Sequence, residues 1–139
     1  MQPKYLSQKT TRIFNTLTEN LDNPGDNKTF DAHGYTEKWN GGIMAAHVEC
    51  IGHWNNGFPL YSIAHYYKQN GDMMKDPDMV FVKHPLGKVF PISFEQSSAG
   101  IYQESVWYDD GFKMKAKQQK DHATFANTWM KNIKEQQEL

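Results

Sequence analysis

Between Ile63 and Phe81 the chain gathers one histidine (His65), adjacent tyrosines (Tyr66, Tyr67), Asn70, three aspartates (Asp72, Asp76, Asp78) and three methionines (Met73, Met74, Met79). These types do distinct chemistry: imidazole titrates near neutrality and ligates first-row metals, carboxylates hold hard cations, and tyrosine and methionine make adaptable contact surfaces. His65, Tyr66, Tyr67, Asn70, Asp72, Met73, Met74 and Asp76 are accordingly candidate binding residues. The aspartate spacing lacks the alternating ladder, the glycine and the closing glutamate of an EF-hand loop. It fits instead a turn at Asn70-Gly71-Asp72 and a strand that starts at Asp76-Pro77-Asp78, where a proline interrupts no ladder.

A second constellation lies upstream. Side chains alternate across a strand, so His47, Glu49 and His53 share one face of a strand near 43 to 53, with His65 on the next strand. A three-residue loop Asn55-Asn56-Gly57 pairs Trp54 with Phe58 and puts His47 opposite His65. A two-residue Asn56-Gly57 turn sends the two histidines to opposite faces, because a shift of one in register flips every side chain. In the first arrangement His47, Glu49 and His65 form a candidate site for zinc or another first-row metal, the basis for a metal-dependent hydrolase or nuclease. No tight ligand spacing such as H-E-x-x-H accompanies it.

Other signatures fail on particular residues. His47-Val48-Glu49 satisfies the first half of the nucleobase deaminase pattern, but that chemistry needs two more cysteine ligands and the chain has one cysteine. Gly41-Gly42 precedes a strand, so the helix terminus of a phosphate loop is missing. Glu95 and Glu104 flank Ser97-Ser98-Ala99-Gly100, and as a close pair they would allow general acid and base work; lysine-paired strand carboxylates explain them as well. No nucleophile elbow organises the serines, and no cofactor signature is present.

The basic residues cluster. From Gly111 to Lys134 the chain has six lysines (Lys113, Lys115, Lys117, Lys120, Lys131, Lys134) against Asp121, a local charge of +5 within a net charge of -1. Such lysines would give salt-sensitive, sequence-independent nucleic-acid contacts, although lysine-rich helix faces also serve solvation. Phe125 and Trp129, four apart, fit core packing better than base stacking.

The elements that must position these groups are legible from periodicity. Leu6, Ile13, Phe14, Leu17 and Leu21 predict an N-terminal helix over about 4–21, stopped by Asn23-Pro24-Gly25-Asp26. His122, Phe125, Ala126, Trp129, Met130 and Ile133 predict a C-terminal helix over 117–136. Between them, segments rich in Val, Ile, Phe and Tyr predict strands near 28–38, 43–53, 58–68, 78–84, 88–96, 101–108 and 112–116. The expected fold is one α+β domain: 1–22 helical, 28–116 a mostly antiparallel sheet of five to seven strands, and 117–136 helical. At 139 residues the chain buries enough surface to need no staple, and the lone Cys50 reads as a core residue. No apolar run reaches the roughly 20 residues of a membrane span. A cytoplasmic location and no membrane partner are expected.

Ser62-Ile63-Ala64-His65-Tyr66-Tyr67, Asn70-Gly71-Asp72, Asp76-Pro77-Asp78-Met79, Pro91-Ile92-Ser93-Phe94, Gly100-Ile101-Tyr102-Gln103-Glu104 and Phe125-Ala126-Asn127-Thr128-Trp129-Met130 together resemble an uncharacterised domain family of phages, plasmids and conjugative elements. The likeness covers most of the chain after Asn40. It implies a mobile-element context and brings no catalytic role to any residue. The leading expectation is a non-enzymatic binding protein that inhibits a host defence system by engaging a protein, a nucleic acid or a nucleotide. The metal-dependent hydrolase and a nucleic-acid accessory protein using the basic tail are the alternatives.

Overall fold

The computed structural model describes residues 2–32, 44–54, 56–69 and 71–139, without the side chains of Lys68, Gln69 and Met73. Helix α1 spans Gln8–Thr18 and starts later than its apolar spacing predicts, because Ser7 caps it: Ser7 Oγ accepts the Thr10 N–H at 3.1 Å. The chain before it is extended and tied to the far helix. Lys4 N–H donates to Gln119 Oε1 (2.7 Å), and Gln119 Nε2 donates to Lys4 O (2.9 Å).

Strands β1 (Asn27–Phe30), β2 (Ala46–His53), β3 (Pro59–Gln69), β4 (Asp72–Lys83), β5 (Val89–Gln96) and β6 (Ile101–Glu104) form one antiparallel sheet in chain order. Strands β7 (Val106–Tyr108) and β8 (Phe112–Met114) make a separate hairpin, and helix α2 (Ala116–Gln136) closes the chain. This is the α+β, helix-bracketed antiparallel architecture that periodicity predicts.

Two boundaries differ from the prediction. The 101–108 segment divides at Ser105, whose N–H turns to Ile92 O (2.8 Å) and whose carbonyl accepts the Lys115 N–H (2.8 Å). Strand β4 begins at Asp72 rather than near 78, so Asp76 and Pro77, joined by a cis peptide bond, lie within the strand instead of starting it. The ladder accommodates them through a shift in register: Ala64 pairs with Asp78, but Tyr66 pairs with Lys75. The predicted strand near 28–38 is a strand only to Phe30, and its positions 33–38, like Gly41-Gly42, lie outside the described residues.

Both helices cover one face of the sheet. Phe14 and Leu17 of α1 and Trp129, Met130 and Ile133 of α2 pack on Val48, Cys50, Ile63, Met79 and Phe81, all buried. Each large side chain so buried contributes about 1.5–3 kcal/mol. Cys50 is fully buried, as its apolar neighbours predict. On the opposite face a smaller cluster of Val82, Phe90, Ile92 and Val106, with Trp54, Leu60 and Val80 against it, seats the β7–β8 hairpin over one end of the sheet. No helix among the described residues is long and apolar enough to cross a membrane.

Candidate functional site

Among the described residues, the face of the sheet away from the helices is covered only where the β7–β8 hairpin sits. Over the rest, alternation presents Thr29, His47, Glu49, Ser62, Tyr66, Lys75, Asp78, Ser93, Glu95 and Tyr102. Two depressions adjoin on it and share Ser62. One, of about 320 Å³, is lined by Thr29, His47, Glu49 and Tyr66 and reaches Asn27 and Lys28 at the β1 edge. The other, of about 290 Å³, is lined by Lys75, Asp78, Ser93, Glu95 and Tyr102.

The polar groups of this face hold one another in place. Ser62 Oγ donates to Asp78 Oδ1 (2.7 Å), and Lys75 Nζ donates to Glu95 Oε1 (3.2 Å) with Asp78 Oδ2 at 3.5 Å. Burial alone would lower the Lys75 pKa, but the bonded Glu95 and neighbouring Asp78 outweigh it and hold it raised. The Tyr66 hydroxyl is raised as well, first by burial, then by Asp78 against the opposing effect of Lys75, with Glu49 and Glu95 adding to the rise. Tyr66 also meets the His47 ring edge-on at 5.2 Å, and His47 Nδ1 lies 3.0 Å from Thr29 Oγ1. Burial lowers the His47 pKa, opposed by Asp31. The result is a preorganised polar surface on which Glu95 and Asp78 hold the Lys75 ammonium, with Glu49 and Glu104 on the same face of the sheet.

The two histidines of the predicted metal cluster are not brought together. The loop has the register of the three-residue alternative, since Trp54 N–H donates to Phe58 O and His53 pairs with Pro59. A bulge at Ile51, between Cys50 and Gly52, then shifts β2 by one residue, and His47 falls opposite Ala64 while His65 falls opposite Ala46. His47 and Glu49 face the open side; His65 faces the helices. Among the described residues no group of three histidine, cysteine or acidic side chains is placed to hold a metal ion, and the His47, Glu49, His65 ligand set is corrected on this ground.

His65 is instead part of the core. It is 5% exposed, and its Nδ1 accepts the Trp129 Nε1–H at 3.4 Å. The two rings meet edge-on at 5.3 Å. Burial, followed by the His47 imidazole and against Asp76, pushes its pKa down to about 4, so the ring is neutral at pH 7. Its Nε2 is buried with no hydrogen-bond partner among the described residues.

The other candidates in that segment spread out. Asp72 is exposed at the β3–β4 turn, Met74 and Tyr67 are half-buried, and Asp76 accepts from Gln96 Nε2 at 2.8 Å. Asn70 and the side chain of Met73 lie outside the described residues. Glu95 and Glu104 are not register partners: Glu95 faces Tyr102 and Glu104 faces Ser93, and Glu95 is engaged by Lys75. The basic tail divides between Lys113 and Lys115 with Lys117 and Lys120 at the start of α2, and Lys131 and Lys134 in its last turns. At 1.5 Å per residue, about 20 Å separates the two groups.

One polar constellation had no signal in the sequence. Ser105 Oγ lies 2.9 Å from His122 Nδ1, and His122 Nε2 lies 2.9 Å from Gln103 Oε1. This has the connectivity of a serine–histidine dyad with a third, orienting group. Ser105 is fully buried, His122 is 4% exposed, and Ser105 Oγ also reaches Ile92 O at 3.2 Å, which makes the set a brace between β5, β6 and α2. Residues 103, 105 and 122 have no motif spacing; only the split at Ser105 brings them together.

The architecture is thus that of a small α+β domain whose helices cover one side of an antiparallel meander and whose other side is a polar recess. The sequence model of a family described as a domain of unknown function (DUF6908) matches residues 8–139, and the chain belongs to that family. The match includes α1, which the likeness after Asn40 leaves out. No curated protein and no solved structure matches the chain.

Proposed function

We propose that this protein acts by binding, using the recessed open face of the sheet as its contact surface for a protein partner. The observation that carries the reading is the pair of adjoining depressions joined at Ser62, whose side chains are fixed by mutual hydrogen bonds rather than left to be ordered on contact. Preorganisation of this kind lowers the entropic cost of association. The carboxylates Glu49, Asp78, Glu95 and Glu104 favour a partner segment with lysine or arginine side chains and disfavour a nucleic-acid backbone at this face. The resemblance to proteins of phages and conjugative elements supports a biological role as a stoichiometric inhibitor of a host defence component.

The test is retention of host proteins from lysate by the wild type, by Tyr66→Ala with Glu95→Lys, and by Lys120→Glu with Lys131→Glu. A partner lost only with the first variant supports the reading. Hydrolysis of nucleic-acid or nucleotide substrates with added Mg²⁺, Mn²⁺ or Zn²⁺, abolished by His47→Ala, would replace it with the enzymatic alternative.

A further inference from the structure

The helix layer has a second recess, of about 460 Å³, lined by Lys9, Arg12, Ile13 and Thr16 of α1 and by Lys134 and Leu139. Residues 9, 12, 13 and 16 recur at helical spacing and form one stripe on α1. The two helices run in the same sense, since Lys4 lies beside Gln119, Ser7 N–H donates to Asn127 Oδ1 (3.0 Å), and Arg12 and Thr16 share the recess with Lys134. Among the described residues no aspartate or glutamate forms an ion pair with Lys9, Arg12 or Lys134, and neither Glu135 nor Glu138 lines the recess. Lys134 complements the negative end of α2. Lys9 does the opposite in the first turn of α1, which has no acidic residue, so its charge adds to the positive end of the helix dipole, and Arg12 follows in the next turn on the same stripe. Helix stability disfavours that arrangement, whereas attraction of an anion explains it.

We propose that this recess is a phosphate-binding site, in which Lys9, Arg12 and Lys134 neutralise the phosphate groups of a nucleotide or of a nucleic-acid backbone. Its volume falls within the range of small-ligand sites. Arg12 supplies a planar fork for two phosphate oxygens, and the two lysines act as point charges. The Thr16 hydroxyl is committed to Arg12 O at 3.1 Å and lines the wall. Lys120 and Lys131 follow on the same side of α2 and would extend the site along a longer polyanion. This inference is independent of the sheet-face reading, which concerns the opposite side of the molecule.

The test is titration of the full chain with ATP, with inorganic pyrophosphate and with a fluorescent single-stranded DNA 20-mer at 50 mM salt. At least one probe is expected to bind saturably, and Lys9→Glu with Arg12→Glu should weaken it about tenfold or more and flatten its salt dependence. The milder Lys134→Gln should weaken it less, with the far-ultraviolet circular dichroism of each variant unchanged. Lys83→Glu, the same kind of charge reversal at the end of β4 and outside the recess, should leave affinity within about twofold. Binding of the 20-mer alone assigns the phosphates to a nucleic-acid backbone; binding of ATP and pyrophosphate as well assigns them to a free ligand. No saturable binding of any probe, or equal losses with the Lys83 and α1 variants, overturns the proposal.

Discussion

His47 and His65 occupy neighbouring strands one register step apart, opposite Ala64 and Ala46 respectively, so one imidazole faces the open side of the sheet and the other packs under α2. Their roles separate accordingly. His65→Ala should destabilise the fold by about 2–4 kcal/mol, because it empties a buried site and leaves the Trp129 N–H without its acceptor. His47→Ala, at a half-buried site, should cost less than about 1 kcal/mol. Urea unfolding of both variants measures the contrast, and equal losses would contradict the assignment.

The depressed pKa of His65 fixes the sign of an acid response. The unfolded ring takes up its proton near pH 6.5, the folded one only near 4, so the unfolded state binds more protons between those values. The stabilisation is complete above about pH 6.5, falls as pH drops through the window and is gone below about 4. His47 and His122 are shifted in the same direction. Wild-type urea midpoints should therefore fall between pH 7 and 4.5, and His65→Leu should flatten part of that slope.

The Ser105–His122 pair predicts stability loss without nucleophilic reactivity. Ser105→Ala removes the partner of a buried imidazole nitrogen and should cost about 1–3 kcal/mol. The native protein should not be labelled by a fluorophosphonate probe, because Ser105 is completely buried. Labelling lost in Ser105→Ala would show that this brace opens to solvent.

Tyr61 fastens the end of the α1 segment to the sheet, its hydroxyl donating to Leu21 O at 3.0 Å from a buried position. Tyr61→Phe keeps the ring contact with Phe14 at 5.6 Å and removes only that bond. A loss of about 1 kcal/mol in urea unfolding is expected.

The bulge that separates the two histidines depends on Gly52, whose φ of 140° suits glycine and strains other residues. A Cβ there meets nothing within 4 Å, so the cost of Gly52→Ala is conformational alone. About 1–2 kcal/mol is expected in urea unfolding. A neutral result would mean that the backbone relaxes at this point.

The elements that recur with a clear period are legible from residue order alone. Ile13, Phe14 and Leu17, and Trp129, Met130 and Ile133, are spaced to bury one helix face, and they do. The turn between Trp54 and Phe58 is legible in place but not in length: residue order allows a two- or a three-residue loop, and the Trp54 N–H bond to Phe58 O selects the longer register. The aspartates are harder to place. Asp76-Pro77 reads as a strand start, but the bulge opposite His65 absorbs the proline inside β4, and nothing local announces that compensation.

The candidate site divides in the same way. Its residue types, including Tyr66, Asp78, Glu95 and the lysines of α2, stand in the sequence. Their grouping does not. A single extra residue in β2 sends the two histidines to opposite faces, and the split at Ser105 brings Gln103, Ser105 and His122 into one buried set.

The sequence by itself determined the two amphipathic helices, the antiparallel strands between them and the inventory of polar groups, because period and turn chemistry act over a few residues. Only the tertiary structure decided which face each polar group joined, and that Lys9 and Arg12 would share a recess with Lys134. Register accumulates every bulge along a strand, and helix juxtaposition depends on packing across the whole sheet, so neither is encoded within a short window.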